Sequence, residues 1–144
     1  MNDYAEMVSL ALTLPTILIG IGVLVHWGPS AWRSWNVKAI HRDASQWLIL
    51  GVAIGFLGSI LDNIYWGIAW SSAYAQHPSR DFWFANGVWP NIPFRQISGA
   101  YAAYCHLRSF YISQKQNNLR LMIAVVLSLV VGVAYVCAVS AFRL

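Results

Sequence analysis

Four polar side chains stand out because they lie inside stretches of sequence that are otherwise mainly apolar. Asp62 and Asn63 lie in one such stretch, and Arg95 and His106 lie in another. A carboxylate in the middle of a bilayer costs about 2.5–3.5 kcal/mol, so it has to be paired, protonated or hydrated. The sequence therefore predicts an intramembrane polar cluster made of Asp62, Asn63, Arg95 and His106.

The depth of these residues suggests two roles for the cluster. A rise of about 1.5 Å per residue puts Asp62 about 12 Å and His106 about 16 Å below the predicted outer helix ends, with Arg95 reaching down from above. The cluster is then either a polar site in a pore or proton path, or a hydrogen-bonded group that includes Tyr101 or Tyr104 and locks the helices together. No second acidic residue follows Asp62 through the membrane to build a proton relay. The small size of the polar set favours the structural role.

Histidines and cysteines are the residue types that would hold haem iron or a transition metal. Paired histidines on different spans can ligate a membrane haem. His26, however, is expected at the inner end of its span and His106 nearer mid-depth, so their levels do not match. The other histidines, His41 and His77, and the two cysteines, Cys105 and Cys137, do not have the spacing of metal ligands. We therefore expect neither a metal nor a cofactor.

Hydrolytic chemistry has little support in the sequence. Ser59, His106 and Asp62 can be combined on paper into a nucleophile, a base and an orienting acid. A serine in a membrane helix, however, usually hydrogen-bonds to the backbone of its own helix. The sequence has no Gly-x-Ser-x-Gly motif, no phosphate-binding loop and no paired carboxylates. We therefore predict no catalytic residue and a non-enzymatic protein.

The elements that must position the polar residues are long apolar helices. Residues 121–142 carry no charge and no proline, and a run of that length suits a helix that crosses a hydrocarbon core of about 30 Å. With 144 residues, of which 58% are hydrophobic and 10% charged, the chain has no room for a separate soluble domain. We predict one integral membrane domain over residues 1–144, an all-α polytopic helical bundle with four transmembrane spans at about 7–27, 46–70, 95–113 and 120–142.

The basic residues predict how these spans are oriented. If residues 95–113 cross the membrane, the Lys and Arg residues of 28–45 and 115–120 lie on one side. The acidic N-terminus, the loop 71–94 and the end of the chain then lie on the other side, which is the positive-inside pattern. We expect an inner or plasma membrane protein with both termini outside. Orientation and lipid head groups then account for the net charge of +4 better than nucleic acid does.

Small residues recur at helical spacing on the second and third predicted spans. The glycines of the second span share a face with Asp62, and small residues of the third share a face with His106. Helix association in lipid depends on close packing, so small residues let two backbones approach each other. The predicted packing residues, which are expected to face each other or a shared interior, are Gly51, Gly55, Gly58, Gly99 and Ala102.

Most of the eight tryptophans, Trp47 among them, fall at predicted membrane edges. Tryptophan is enriched there because its amphipathic ring suits the head-group region. The loop 71–94, which is polar and rich in aromatic residues, is expected to fold back onto the bilayer surface. The predicted interface anchors are Trp27, Trp32, Trp35, Trp83 and Trp89.

These features favour a small protein that acts by assembling in the bilayer, as a homo-oligomer or in a larger membrane complex. Its expected partners are membrane lipids and other membrane proteins, with no nucleic acid. Size and hydropathy suggest a self-associating, holin-like pore former, although no holin motif is present. Two alternatives stay open: an accessory or scaffold subunit that docks through the Trp-rich outer loop, and a cofactor-binding membrane subunit.

Overall fold

The computed structural model describes residues 2–35, 37–65 and 94–143, and these residues form helices and no strand. The four long helices are α1 (Asn2–Arg33), α2 (Ala44–Tyr65), α3 (Phe94–Lys115) and α4 (Leu119–Arg143). A single 3₁₀ turn, Ala39–His41, lies between α1 and α2. The predicted all-α class is confirmed.

Three of the described helices are long and apolar enough to cross a membrane. Their qualifying segments are Ala11–Arg33 in α1, Ala44–Asp62 in α2 and Leu119–Cys137 in α4. Helix α3 has 22 residues, which is long enough, but it carries more polar and charged side chains than the other three. Length and composition therefore support an integral membrane protein with three candidate spans, and they do not mark α3 as a fourth.

Helix α1 is longer than the sequence predicts. It continues past the expected end at residue 27 to Arg33 and contains both Pro15 and Pro29. Its 32 residues span about 48 Å, which exceeds the hydrocarbon thickness, so a helix of this length that crosses a bilayer has to tilt or extend into the head groups. The basic residues and tryptophans of region 28–45 are interleaved in a way that predicts a short helix lying in the membrane interface. In the structure this region is instead divided between the end of α1 and the 3₁₀ turn.

The start of α2 is fixed by a capping box. The Asp43 carboxylate accepts a hydrogen bond from the Gln46 backbone N–H at 2.8 Å, and the Asp43 N–H donates to the Gln46 side-chain oxygen at 3.2 Å. The spacing Asp43-x-x-Gln46 predicts this pair, which is confirmed. The buried Gln46 amide also donates to the carbonyl oxygens of Ala31 and Ser34. One side chain therefore joins the end of α1 to the start of α2.

The helices form a ring in chain order. Each helix packs against its neighbours in the sequence, and α4 closes the ring against α1. The α2–α3 contact is the most extensive of these, and the diagonal α2–α4 contact is slight. This arrangement leaves a central space that all four helices can line.

Helices α2 and α3 are antiparallel, and two contacts define their register. A Cβ atom built on Gly51 would lie 2.7 Å from His106 Nδ1, and one built on Gly55 would lie 3.8 Å from Ala102 Cβ. The same register places Asp62 level with position 95 of α3. Positions on α2 and α3 can therefore be compared by depth.

A tightly packed core lies where α2 and α4 begin and where α1 and α3 end. The Ser109 hydroxyl donates to the Ala44 carbonyl at 2.6 Å and so ties α3 to the first turn of α2. The buried apolar residues of this core are Val23, Ala44, Leu48, Val52, Leu121 and Val125. We call this the basic end of the bundle, because six of the nine Lys and Arg residues lie at or near it: Arg33, Lys38, Arg42, Arg108, Lys115 and Arg120.

Candidate functional site

A cavity of about 330 Å³ lies between the helices, beyond the packed core. Each helix contributes to its wall, with Thr16 from α1, Gly55 from α2, Gly99 from α3 and Gly132 from α4 among the lining residues. Most of the wall is apolar. Because many lining side chains are small, the helices can meet while the space between them stays open. Both the volume and the apolar lining are typical of pockets for small molecules.

One pair of polar side chains in the cavity wall joins α3 to α4. His106 Nε2 lies 2.8 Å from Ser128 Oγ. The other ring nitrogen, Nδ1, lies 2.6 Å from the carbonyl oxygen of Ala102, one turn earlier in α3. His106 is only 4% exposed and lines the cavity together with Ser128. The two hydrogen bonds hold the imidazole ring at both nitrogens.

The partners of His106 determine which atom donates in each bond. A carbonyl oxygen can only accept, so Nδ1 carries the proton and donates to Ala102. In the neutral ring, which an apolar surrounding favours over the cation, Nε2 then accepts a hydrogen bond from the Ser128 hydroxyl. Ser128 has now used its only proton, but its oxygen keeps lone-pair capacity. The polar group that this pair offers to the cavity is therefore an acceptor.

Gly51 allows His106 to approach α2 this closely. A Cβ atom at Gly51 would lie 2.7 Å from His106 Nδ1, 2.9 Å from Cε1 and 3.1 Å from the Ala102 carbonyl oxygen. Contacts this short force a side chain to shift. The glycine therefore keeps the imidazole where both of its hydrogen bonds can form.

The structure separates two members of the predicted polar cluster, Asp62 and His106. Asp62 is 3% exposed, is buried like His106 and makes a polar or electrostatic contact with another group. In the α2–α3 register, however, His106 lies level with Gly51, eleven positions or about 16 Å from Asp62 along α2. The expectation that Asp62 and His106 lie at comparable depth is thus wrong, because depths counted from assumed helix ends do not give the packing register. The side chains of Asn63 and Arg95 lie outside the described residues.

The predicted packing residues lie mainly along the α2–α3 contact and the cavity. Gly51 and Gly55 face α3, Gly58 is buried, and Ala102 is buried against Gly55. Gly99 differs from the others. A Cβ atom there would lie 3.9 Å from Val136 Cγ2 of α4, so this glycine faces α4.

The predicted interface tryptophans have different surroundings. Trp27 is partly buried against the packed core, and Trp32 is 80% exposed. The ring of Trp35 lies 5.0 Å from the Arg42 guanidinium carbon. Trp83 and Trp89 lie outside the described residues.

Sequence reasoning missed two features of the structure. Ser128, the partner of His106, is one of two serines in the long apolar run 121–142, and no spacing in the sequence connects it to His106. Trp47 was expected only to anchor at a membrane edge, but it is buried between Arg42 and Arg108. Among the described residues, no three His, Cys, Asp or Glu side chains are placed to hold a metal ion.

Comparison of this chain with protein-family models, with curated proteins and with solved structures finds no match, so its function has to be inferred from the geometry alone.

Proposed function

We propose that this protein is a four-span integral membrane protein that binds a lipid-soluble molecule carrying a hydroxyl group between its helices. The observation that carries the proposal is the apolar cavity of about 330 Å³, whose wall includes an oriented polar pair, His106 and Ser128. A mostly apolar wall with one fixed polar group is the usual design of a small-molecule site.

The proposal takes α3 as the fourth span, and the distribution of its side chains supports this. The polar residues His106, Ser109 and Ser113 are buried, facing the bundle. The outward residues Ile97 and Leu107 are exposed and apolar, as a lipid-facing surface requires. Helix α3 also runs antiparallel alongside α2, which is itself a candidate span. Four spans then put the basic end in the cytoplasm and both termini outside, in an inner or plasma membrane.

The hydrogen bond between Ser128 and His106 limits which chemical groups of a ligand can bind beside Ser128. Ser128 donates its proton to His106, so a ligand group that meets Ser128 has to donate a hydrogen bond to its oxygen. Most of the remaining wall favours apolar contact, and its other polar residues are Thr16, Ser59, Ser98 and Tyr135. An alcohol or phenol with a hydrocarbon body satisfies both demands, and such molecules partition into bilayers.

We propose a binding role and not an enzymatic one, although Ser128 and His106 resemble a nucleophile and its base. Acyl transfer also needs donors that stabilise an oxyanion. Ser128 lies in the interior of α4, where the neighbouring backbone N–H groups already donate within the helix. The pair therefore lacks the backbone donors that a hydrolase places beside its nucleophile.

The self-associating pore and the docking subunit remain alternative predictions from the sequence. The mainly apolar cavity wall offers no polar lumen within the described bundle, so a pore would have to form between copies. Dye leakage from liposomes that contain the purified protein tests this alternative.

The binding proposal can be tested by thermal melting of the detergent-solubilised protein with two matched probes. Naphthol carries a hydroxyl donor, and methoxynaphthalene replaces it with an ether that cannot donate. We expect naphthol to raise the melting temperature more than methoxynaphthalene, and we expect Ser128→Ala to abolish the difference. Equal effects of the two probes on the unmodified protein would contradict the role of Ser128.

Two glycines provide a matched control for the location of the site. A Cβ atom at either Gly132 or Gly22 would have nothing within 4 Å, but only Gly132 lines the cavity. Gly132→Leu should fill the cavity and remove the response to both probes, whereas Gly22→Leu should leave the response intact. The same response in both variants would show that the probes bind elsewhere.

A further inference from the structure

The basic end of the bundle contains an unusual arrangement of two arginines around one tryptophan. The Trp47 ring lies 5.4 Å from the guanidinium carbon of Arg42 and 5.8 Å from that of Arg108. Tyr104 of α3 packs edge-on against the same indole, at 5.8 Å between ring centroids. Two positive charges from different parts of the chain are therefore fixed beside one buried ring.

Two donors in this group have no acceptor. Among the buried side-chain nitrogen and oxygen atoms of the described residues, the ones without a hydrogen-bond partner are Trp47 Nε1 and Arg108 Nε. Trp47 is only 4% exposed. Burying an unsatisfied donor is costly, and more so for a charged group. Such donors need an acceptor, and the described residues do not supply one.

Asp43, which follows Arg42 in the sequence, uses one carboxylate oxygen to cap α2. This oxygen, Oδ1, accepts from the Gln46 N–H at 2.8 Å and from the Ser45 hydroxyl at 2.7 Å. The other basic residues of this end raise the local positive potential further. An anion that enters from outside the protein would meet both donors and this field.

The surroundings favour a lipid over a free ion. Trp47 belongs to the candidate span Ala44–Asp62, so the site lies where that span meets the head groups. Arg42 donates to the Val37 carbonyl at 3.4 Å, and the side chains of Val37 and Ile40 are exposed and apolar. Acyl chains could cover these two side chains while the head group meets the arginines.

We propose that Arg42, Trp47 and Arg108 form a binding site for the phosphate of an anionic phospholipid. The guanidinium groups supply positive charge and paired N–H donors that match the geometry of a phosphate, and the indole N–H supplies one more donor. Arginine and tryptophan are also the residue types that suit the head-group layer. The site is separate from the interhelical cavity and does not depend on the ligand proposed for it.

The test is lipid binding by the full chain in a neutral detergent, counted as adducts by native mass spectrometry. Phosphatidylglycerol is compared with phosphatidylcholine of the same acyl chains, and inorganic phosphate is added as a competitor. We expect phosphatidylglycerol to bind about tenfold more tightly than phosphatidylcholine, because the choline cation offsets the phosphate charge that the two arginines would meet. Equal binding of the two lipids would overturn the proposal, as would displacement by inorganic phosphate at concentrations similar to that of the lipid.

Variants locate the site. Arg108→Gln should weaken phosphatidylglycerol binding about tenfold, and Trp47→Phe, which keeps a ring but loses the N–H, should weaken it severalfold. The controls Arg120→Gln and Trp32→Phe alter exposed residues and should change it by less than about threefold, because exposed charges are screened. If the control variants lose as much phosphatidylglycerol binding, the lipid is attracted by the overall positive charge of the basic end and not by a specific site.

A further variant keeps the test decisive if Arg108→Gln fails to fold. Arg108→Lys retains the charge but loses the guanidinium fork, so it should lose most of the preference for phosphatidylglycerol. A full preference in a folded Arg108→Lys protein would overturn the assignment of Arg108 to a phosphate.

Discussion

The two halves of this bundle are built on different principles. At the basic end, Leu48 and Val125 are almost completely buried. The side chains of Gln46 and Ser109 form hydrogen bonds that join neighbouring helices. Beyond Gly51, the same four helices surround a cavity lined largely by small residues. In lipid, helices associate through packing and not through removal of apolar surface from water. The packed half can therefore hold the bundle together while the other half keeps an open cavity.

The largest expected effect contrasts the two halves directly. Leu48→Ala removes a side chain with 0% exposure from the packed half, and we expect the free energy of unfolding to fall by about 2–5 kcal/mol. Val136→Ala, in the cavity wall, only enlarges an existing space and should cost at most about half as much. Unfolding in mixed micelles, followed by circular dichroism, measures both. Equal losses would show that the halves do not differ in packing.

Asp62 tests whether a buried polar residue stabilises the end of the bundle away from the packed core. Because it is 3% exposed and engaged with another group, Asp62→Leu should cost about 1–3 kcal/mol by leaving that group without its partner. Asp62→Asn should keep most of the stability, since an amide can still hydrogen-bond. The neighbouring Leu61→Ala, at an exposed position, serves as a control. If Asp62→Leu unfolds like the unmodified protein, Asp62 is not a structural anchor.

Gly51 marks the boundary between the two halves, and its replacement should matter more than that of another helical glycine. Gly51→Ala pushes a methyl group against His106 and should destabilise the bundle by about 1–3 kcal/mol. Gly22→Ala meets nothing within 4 Å and should be neutral or stabilise by up to about 1 kcal/mol. The same unfolding assay compares them. A neutral Gly51→Ala would mean that His106 has room to move.

The smallest effect concerns the bond between His106 and Ser128. A double-mutant cycle of His106→Ala and Ser128→Ala should give a coupling energy of about 0.6 kcal/mol, typical of hydrogen bonds between membrane helices. Strictly additive losses of stability would indicate that the two side chains do not interact in the bilayer.

The sequence predicted local features of this fold well and relative positions poorly. The apolar run at 121–142 and the pair Asp43 and Gln46 each depend on neighbouring residues, and α4 and the capping box follow from them. The depth of His106 relative to Asp62 depends on how far α3 slides along α2. Helical periodicity shows on which face of its helix a residue lies, but it does not show how far one helix is shifted along its neighbour.

The same reason explains why the functional candidates were incomplete. Ser128 matters only because it reaches His106 across two helices, and Trp47 only because Arg42 and Arg108 flank it. Ser128 and His106 are distant in the sequence, as are Trp47 and Arg108, and only tertiary packing brings the members of each pair together.

The central claim is that the open half binds a hydroxylated apolar molecule, and the attachment site of a photoprobe tests it most directly. Hydroxybenzophenone, which carries a donor and an apolar body, is irradiated with the protein in lipid bilayers, and the modified residues are located by mass spectrometry. We predict attachment at cavity residues such as Gly55, Gly99 and Val136, and its loss in Gly132→Leu. Attachment mainly at outward residues such as Ile21, unchanged in Gly132→Leu, would contradict the claim.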